Sequence, residues 1–555
     1  MAAAVVTVLL VPQSLAYALL AGLPPVAGVM ASLLPVLAYA ALGSSTTLAV
    51  GPVAVIAMMT AQAIAPVAAA HGVEPTLVAG VLAAQMALVL LAAALLRLDM
   101  LAALLGAPVL HGFVTGAALV IALGQLPALL GLGLRGHTAT ELAVSALAAL
   151  RAQGWGALAP HAATAAVGVA ALVLLVIARR HGARLARAAG ASARAAQLGA
   201  RVAPMFVVVA AIAWMALGPA AWREGVALAG RIDLAAGLRV APPWQAPAQV
   251  WLDLMGPAVL IGLVAYVESL AVAEALGARR GERVRPRREL LGLAAANAAS
   301  SVSGGMPVTG GFARSIVAFD AGARTRLAGV WTALGLALVL GLAGGLLGWL
   351  PKAVLAATII VAVLGLVDLA PFRLAWRYAP AEFALMVAVA ALTVLAGVEP
   401  ALLAGVVAAV ALLLRNTARP HWAEVGRLPG TEVFRNVRRH AVHTQPHVLA
   451  LRIDESLVFT NSRWLVETLL EQVASRPALR HVVLMMPGVN GIDLTGLEAL
   501  RQLAAELHAR GIALHLSELK GPVADRLHAA ALGSWLTGEI FRTQHDADRA
   551  LAKRL

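Results

Sequence analysis

Fourteen apolar stretches between residues 2 and 415 leave this chain little freedom in fold class. Each is long enough to span, or half-span, a hydrocarbon core of about 30 Å. They fall near 2–22, 26–43, 53–70, 75–96, 104–131, 160–178 and 203–219, then near 252–276, 287–302, 311–321, 325–349, 353–369, 380–397 and 399–415. With 61% hydrophobic and 13% charged residues over 555 positions, the pattern is that of an α-helical polytopic membrane protein. The third and tenth stretches are short, and each follows a run broken by Gly and Pro. That correspondence predicts two seven-span repeats (7+7), and an odd number of spans inserts the second repeat upside down.

The broken runs are Ser44–Met59, divided at Gly51-Pro52, and Gly304–Phe319, whose Gly304, Gly305, Pro307, Gly310 and Gly311 oppose a helix. Non-helical backbone at membrane depth is tolerated only where protein buries it or where it lines a wet cavity. A short helix starting there offers free N–H groups and partial positive charge to an anion. Arg314, near the start of the second short helix, reads as the anion's cationic partner; the alternative is an Arg tied to carbonyls that steadies broken backbone. A mid-membrane Arg costs about 2.5–3.5 kcal/mol on insertion scales, so a bland surface role is disfavoured. Glu268 lies mid-span and reads as a proton- or ion-coupling group, or as a structural pair for Arg314. Gln13 and Tyr17 lie one turn apart on the first span and share a face, either lining the site or packing around Pro12. His111 and Asp99 read as interface or span-end residues, and Glu274 as a solvated helix end.

The formal charge of +14 suggests nucleic acid, but the arginines cluster between spans, as at 179–201 and 279–288. That is the positive-inside pattern; it predicts cytoplasmic termini in an inner membrane and no nucleic-acid partner. The chain has no cysteine, which excludes disulfides, thiolate metal sites and Cys nucleophiles. No metal cluster, activated nucleophile or cofactor loop is visible, so neither an enzyme nor a cofactor is expected. Met1–Leu20 lacks a basic n-region and leads straight into another span, so it reads as the first transmembrane helix rather than a signal peptide. A short basic lead ahead of this start would fit.

Past Leu414 charge density becomes that of a globular domain. Strands are expected at 448–453, 481–486 and 512–516, and helices at 462–473 and 495–509, together a small cytoplasmic α/β domain. The expected division is a transmembrane domain over 1–416, a linker over 417–445 and the α/β domain over 446–555.

Several motifs carry a resemblance to a known family. They are Val11-Pro12-Gln13-Ser14-Leu15-Ala16-Tyr17-Ala18, Ala21-Gly22-Leu23-Pro24-Pro25, Gly51-Pro52-Val53-Ala54-Val55, Glu268-Ser269-Leu270 and Pro307-Val308-Thr309-Gly310-Gly311-Phe312-Ala313-Arg314-Ser315. The chain resembles the SulP (sulfate permease) family of anion transporters. Its C-terminal part resembles the STAS (sulfate transporter and anti-sigma factor antagonist) domain, in Leu457-Val458-Phe459-Thr460-Asn461 and Ile492-Asp493-Leu494-Thr495-Gly496.

The resemblance implies a fold of fourteen spans in inverted repeats, shared with nucleobase permeases. A core, about 1–97 and 252–349, would move as an elevator against a gate, about 104–219 and 353–415. It places a small inorganic or carboxylate anion between the N-termini of the third and tenth helices. The residues carried over are Gln13, Tyr17, Val53, Phe312, Ala313 and Arg314; Ala313 stands where many relatives have a hydroxyl. Sodium-using relatives have an acidic residue at the place of Glu268 and a hydroxyl four positions later. Val272 stands there, so protons are the expected coupling ion. Thr495, next to Asp493, occupies the place of a phosphorylated residue in related domains, or else a helix N-cap. Proton-coupled sulfate uptake is therefore expected, with a bicarbonate or C4-dicarboxylate transporter or a passive anion channel as alternatives. A homodimer among membrane lipid and a cytoplasmic partner of the STAS domain are also implied.

Overall fold

The computed structural model describes residues 2–98, 106–134, 136, 138–153, 161–188, 190, 192–219, 224–228, 242–320, 322–365 and 367–554. They divide into two compact units, 1–409 and 410–555. Asp99 and most of the loop 220–250 lie outside the described residues, as do the side chains of Arg194 and Arg201.

The first unit begins with α1 (Ala2–Leu20), α2 (Pro25–Met30), α3 (Leu34–Leu42), strand β1 (Val50–Gly51), α4 (Ala54–His71) and α5 (Pro75–Leu95). Then come α6 (Ala107–Gly124), α7 (Leu126–Leu130), α8 (Ala139–Gln153), α9 (Ala162–Ala188) and α10 (Ala193–Leu217). A short α11 (Ala248–Asp253) precedes α12 (Met255–Ala278), α13 (Pro286–Val302), β2 (Thr309–Gly310), α14 (Phe312–Asp320) and α15 (Leu327–Leu347). The unit closes with α16 (Lys352–Leu364), α17 (Ala370–Tyr378), α18 (Pro380–Ala396) and α19 (Val398–Ala418), the last running into the second unit.

Helix occupies every one of the expected apolar stretches. Among the described residues, seven helices are long and apolar enough to cross a membrane, and five apolar helices are shorter. The second expected span is a broken one, α2 and α3, because Pro35 sits in the first turn of α3 and leaves the chain free to restart there. Pro127 does the same between α6 and α7. The antiparallel pairing of β1 with β2 joins the two broken segments, Val50 opposite Gly310 and Gly51 opposite Thr309.

Arginines from the basic loops close helix ends in this unit. Arg280 donates to the carbonyls of Phe319 and Ala323 at the end of α14 and lies 4.1 Å from the centre of the Phe319 ring. Arg287 donates to Ala94 O at the end of α5, and Arg326 to Ala41 O in the last turn of α3 and to Gly43 O just after it. A guanidinium at a helix C-terminus satisfies orphan carbonyls and opposes the negative end of the dipole.

The second unit holds β3 (Trp422–Arg427), β4 (Phe434–Asn436), β5 (Val448–Ile453), α20 (Ser462–Ala474), β6 (His481–Met485), α21 (Leu494–Ala509), β7 (Ala513–Ser517), α22 (Gly521–Ala529), β8 (Ile540–Phe541) and α23 (Gln544–Leu551). The sheet runs β4-β3-β5-β6-β7-β8, parallel from β5 to β8. The expected linker over 417–445 is corrected here: β3 pairs with β5, Trp422 opposite Ile453, so the segment belongs to the domain. Ala423 and Val425 are buried on either side of half-buried Glu424, and the alternation ends at the buried Gly426, too short to declare a strand by itself.

His515, on β7, is buried, and its Nδ1 accepts the Glu539 N–H at 2.9 Å. Its Nε2 therefore carries the proton and donates to His481 Nδ1 at 3.1 Å. Burial, and then the neighbouring His481, push the His515 pKa down from 6.5 to about 4. The unfolded chain binds a proton near 6.5 that the folded imidazole refuses until about 4, so stability falls as pH drops through that window. Amide exchange over residues 513–517 is expected to be faster at pH 5 than at pH 7 after correction for intrinsic rates, and His515→Asn should flatten that difference.

Candidate functional site

The two broken segments meet head to head. After β1, Pro52 and Val53 lead into α4, whose first helical bond is Ala57 N to Val53 O at 2.8 Å and whose start is capped by no side chain. After β2, Gly311 leads into α14, whose first helical bond is Ser315 N to Gly311 O at 3.0 Å. A β-carbon at Gly311 would lie 3.3 Å from Val53 Cγ2 and 3.0 Å from Arg314 Nε, which puts both helix starts and the guanidinium in one place. One at Gly51 would lie 2.6 Å from Arg314 Nη1, in a backbone conformation (φ +153°) that L side chains rarely adopt. Glycine is required there to admit the guanidinium.

Arg314 is buried at 3% exposure. Its Nη2 donates to Pro52 O at 2.8 Å, while Nη1 is buried without a partner among the described residues. The guanidinium is thus tied to a carbonyl at one end only. A crevice reaches Arg314 from the side of α3 and α15, lined also by Leu10, Tyr39, Thr47, Val50 and Arg326. Tyr17 and Glu268 both lie close enough to Arg314 to feel its charge. Glu268 Oε2 is buried and accepts no hydrogen bond among the described residues. Gln13, half-buried one turn before Tyr17, makes no hydrogen bond among the described residues. The backbone of Phe312 and Ala313 opens α14, but their side chains lie outside what is described.

Neutral polar residues satisfy the extended backbone. Ser269, beside Glu268 on α12, accepts the Gly310 N–H at 2.8 Å and shares a hydrogen bond with Thr309 Oγ1 at 2.7 Å. Thr309 also donates to Ala265 O at 2.7 Å. Ser315 Oγ accepts the Ala49 N–H at 2.9 Å and donates to Gly311 O at 2.7 Å, tying α14 to the segment before β1. Sequence reasoning missed Ser269 and Ser315 as structural residues, and missed Glu289, Asn297 and Ser300 on α13 altogether. The available signal was the polarity of 286–302 among otherwise apolar spans.

In the second unit Asp493 caps α21, its Oδ1 accepting the Gly496 N–H at 2.7 Å and its Oδ2 the Phe459 N–H at 2.8 Å. The capping alternative for Thr495 is therefore corrected: Thr495 is the exposed second residue of that helix, and Asp493 already fills the cap.

A sulfate permease family model matches residues 1–389, and a STAS domain model matches residues 439–547. The chain belongs to the sulfate permease family. It is 33% identical over 553 residues to a Mycobacterium tuberculosis protein named as a probable sulfate transporter, covering 98% of this chain and 93% of that one. A protein of Arabidopsis thaliana, probable sulfate transporter 4.2, is 31% identical over 99% of this chain and 80% of its own length. The fold matches that of the murine anion transporter Slc26a9, with a TM-score of 0.87 at 21% identity over all of this chain and 91% of that one. This permease is thus an integral membrane transporter of anions, not an enzyme.

Ser269→Ala strips a buried amide of its acceptor within the membrane, a loss of about 1–3 kcal/mol. The expected outcome is a lower unfolding temperature of the detergent-solubilised protein, with Ser269→Thr falling between the two.

Proposed function

We propose that this permease is a secondary active transporter that takes up sulfate together with protons. The observation that carries the reading is the buried Nη1 of Arg314, without a partner among the described residues, at the junction of the two helix starts. Each start contributes roughly +0.5 charge and Arg314 one more. The site then nets roughly +1 with Glu268 ionised and roughly +2 with it protonated. A dianion favours the protonated form, and by linkage the proton favours the dianion, which is the thermodynamic condition for symport.

Gln13, Tyr17, Val53, Phe312 and Ala313 line the anion path in this reading, and Glu268 couples it to the proton. The names of the relatives at 31% and 33% identity support sulfate over bicarbonate or a dicarboxylate. A crevice between α1 and α4 on one side and α6, α7 and α16 on the other is where a core carrying α4 and α14 would move against a gate. Residues 1–97 and 252–349 would form that core. The basic loops support cytoplasmic termini in a bacterial inner membrane. Regulation through Thr495, and a homodimer, belong to the same reading.

Radiolabelled sulfate uptake into proteoliposomes tests it, with bicarbonate and fumarate as competitors at two external pH values. Uptake should saturate, accumulate against a gradient and rise with an inward proton gradient. Arg314→Ala should lower it by about a hundredfold, the loss of one charge-assisted contact worth about 2–3 kcal/mol. Glu268→Gln should retain binding but lose the dependence on the proton gradient. Flux through the unaltered protein that neither saturates nor accumulates would establish a passive channel instead.

A further inference from the structure

One helix grips both broken segments. α13 is the polar exception among the membrane helices, and its Glu289, Asn297 and Ser300 are fully buried. The Glu289 carboxylate accepts four hydrogen bonds. Tyr39 OH donates to Oε2 at 2.6 Å; Ser44 N, Ser44 Oγ and Ser45 N donate to Oε1 at 2.9, 2.5 and 2.9 Å. These donors stand where α3 ends and the first broken segment begins.

Two turns further along, Asn297 exchanges a pair of hydrogen bonds with Val308, Nδ2 to its carbonyl and Oδ1 from its N–H, both at 3.0 Å. Ser300 Oγ donates to Met306 O at 2.6 Å. Those partners lie in the second broken segment, just ahead of β2. Between the two grips, Gly292 lets the backbone after α3 rest on α13: a β-carbon there would meet Gly43 Cα at 2.7 Å. The hold is passed on toward the site. Ser45 Oγ accepts the Leu48 N–H at 3.2 Å, and Ala49 N reaches Ser315 on α14 at 2.9 Å.

We infer that α13 sets the register of the two helix starts, with Glu289 and Asn297 as positioning residues for the anion site. The inference rests on the proposed transport function for its kinetic consequence, but not for its geometry. Glu289 touches neither the guanidinium nor the helix starts. It fixes where the first segment enters, while Asn297 fixes the second along the same rigid rod. All four groups donate to the carboxylate; an amide in its place loses the charge and must turn its nitrogen toward Tyr39, whose hydroxyl would then have to accept instead of donate.

The test uses the full-length protein in proteoliposomes and reads two quantities, amide exchange over residues 44–51 and the half-saturation concentration for sulfate. Glu289→Gln is expected to speed exchange there about tenfold and raise half-saturation about tenfold, with the maximal rate within about twofold. Tyr39→Phe removes one donor and leaves the carboxylate, so it should give the same pattern at about threefold; it serves where Glu289→Gln fails to fold. Asn297→Leu should carry the faster exchange to residues 304–311. Unchanged exchange in these variants overturns the inference. So does a fall in maximal rate with half-saturation unaltered, which is the signature of a structural role alone. If exchange quickens as expected while even the unaltered protein takes up no sulfate, the transport reading fails and the grip of α13 stands.

Discussion

Hydrocarbon offers no hydrogen bonds, so every residue of extended backbone placed at membrane depth must find partners within the protein. The two interrupted segments answer that demand jointly. β1 and β2 bond to each other, and Ser269, Ser315, Asn297 and Ser300 take up the groups that remain. Among the described residues, the start of α4 carries no side-chain cap and one arm of Arg314 has no partner. In the proposed transport role, these donors, placed where the two chains turn back into helix, are what an anion would meet.

The breaks themselves were legible in the chain because Gly and Pro act locally. Gly51-Pro52 and the glycines around Pro307 forbid a continuous helix whatever surrounds them, and an intramembrane Arg declares itself by cost. Helix positions were legible for the same reason, since apolar length is a local property. The partners of the broken backbone were not. Glu289 meets Ser44 across 245 residues, and no periodicity encodes such a pairing. Glu289 also stands among basic residues at the head of a polar stretch, where it passes for a solvated helix start until its neighbours are known. Likewise Asp493 rather than Thr495 holds the cap of α21, a choice between two suitable residues two positions apart that only backbone geometry makes.

The C-terminal domain shows the same division. The parallel strands β5, β6 and β7 are short apolar runs between amphipathic helices, and their positions are readable from the alternation alone. β3 is different: it is antiparallel, partly charged, and becomes a strand because β5 offers it an edge. His515 could not be singled out either, since a histidine in an apolar run becomes informative only when its two nitrogens are seen to be committed to Glu539 N and His481.

The grip of α13 on both segments has a consequence for how such a chain can vary in length. One residue inserted between Glu289 and Asn297 would turn the second anchor about 100° around the helix and carry it along by about 1.5 Å. Asn297 would then face away from Val308 while Glu289 stayed in place. Loops between other helices can lengthen or shorten at modest entropic cost, but this eight-residue interval is a ruler and tolerates only substitution.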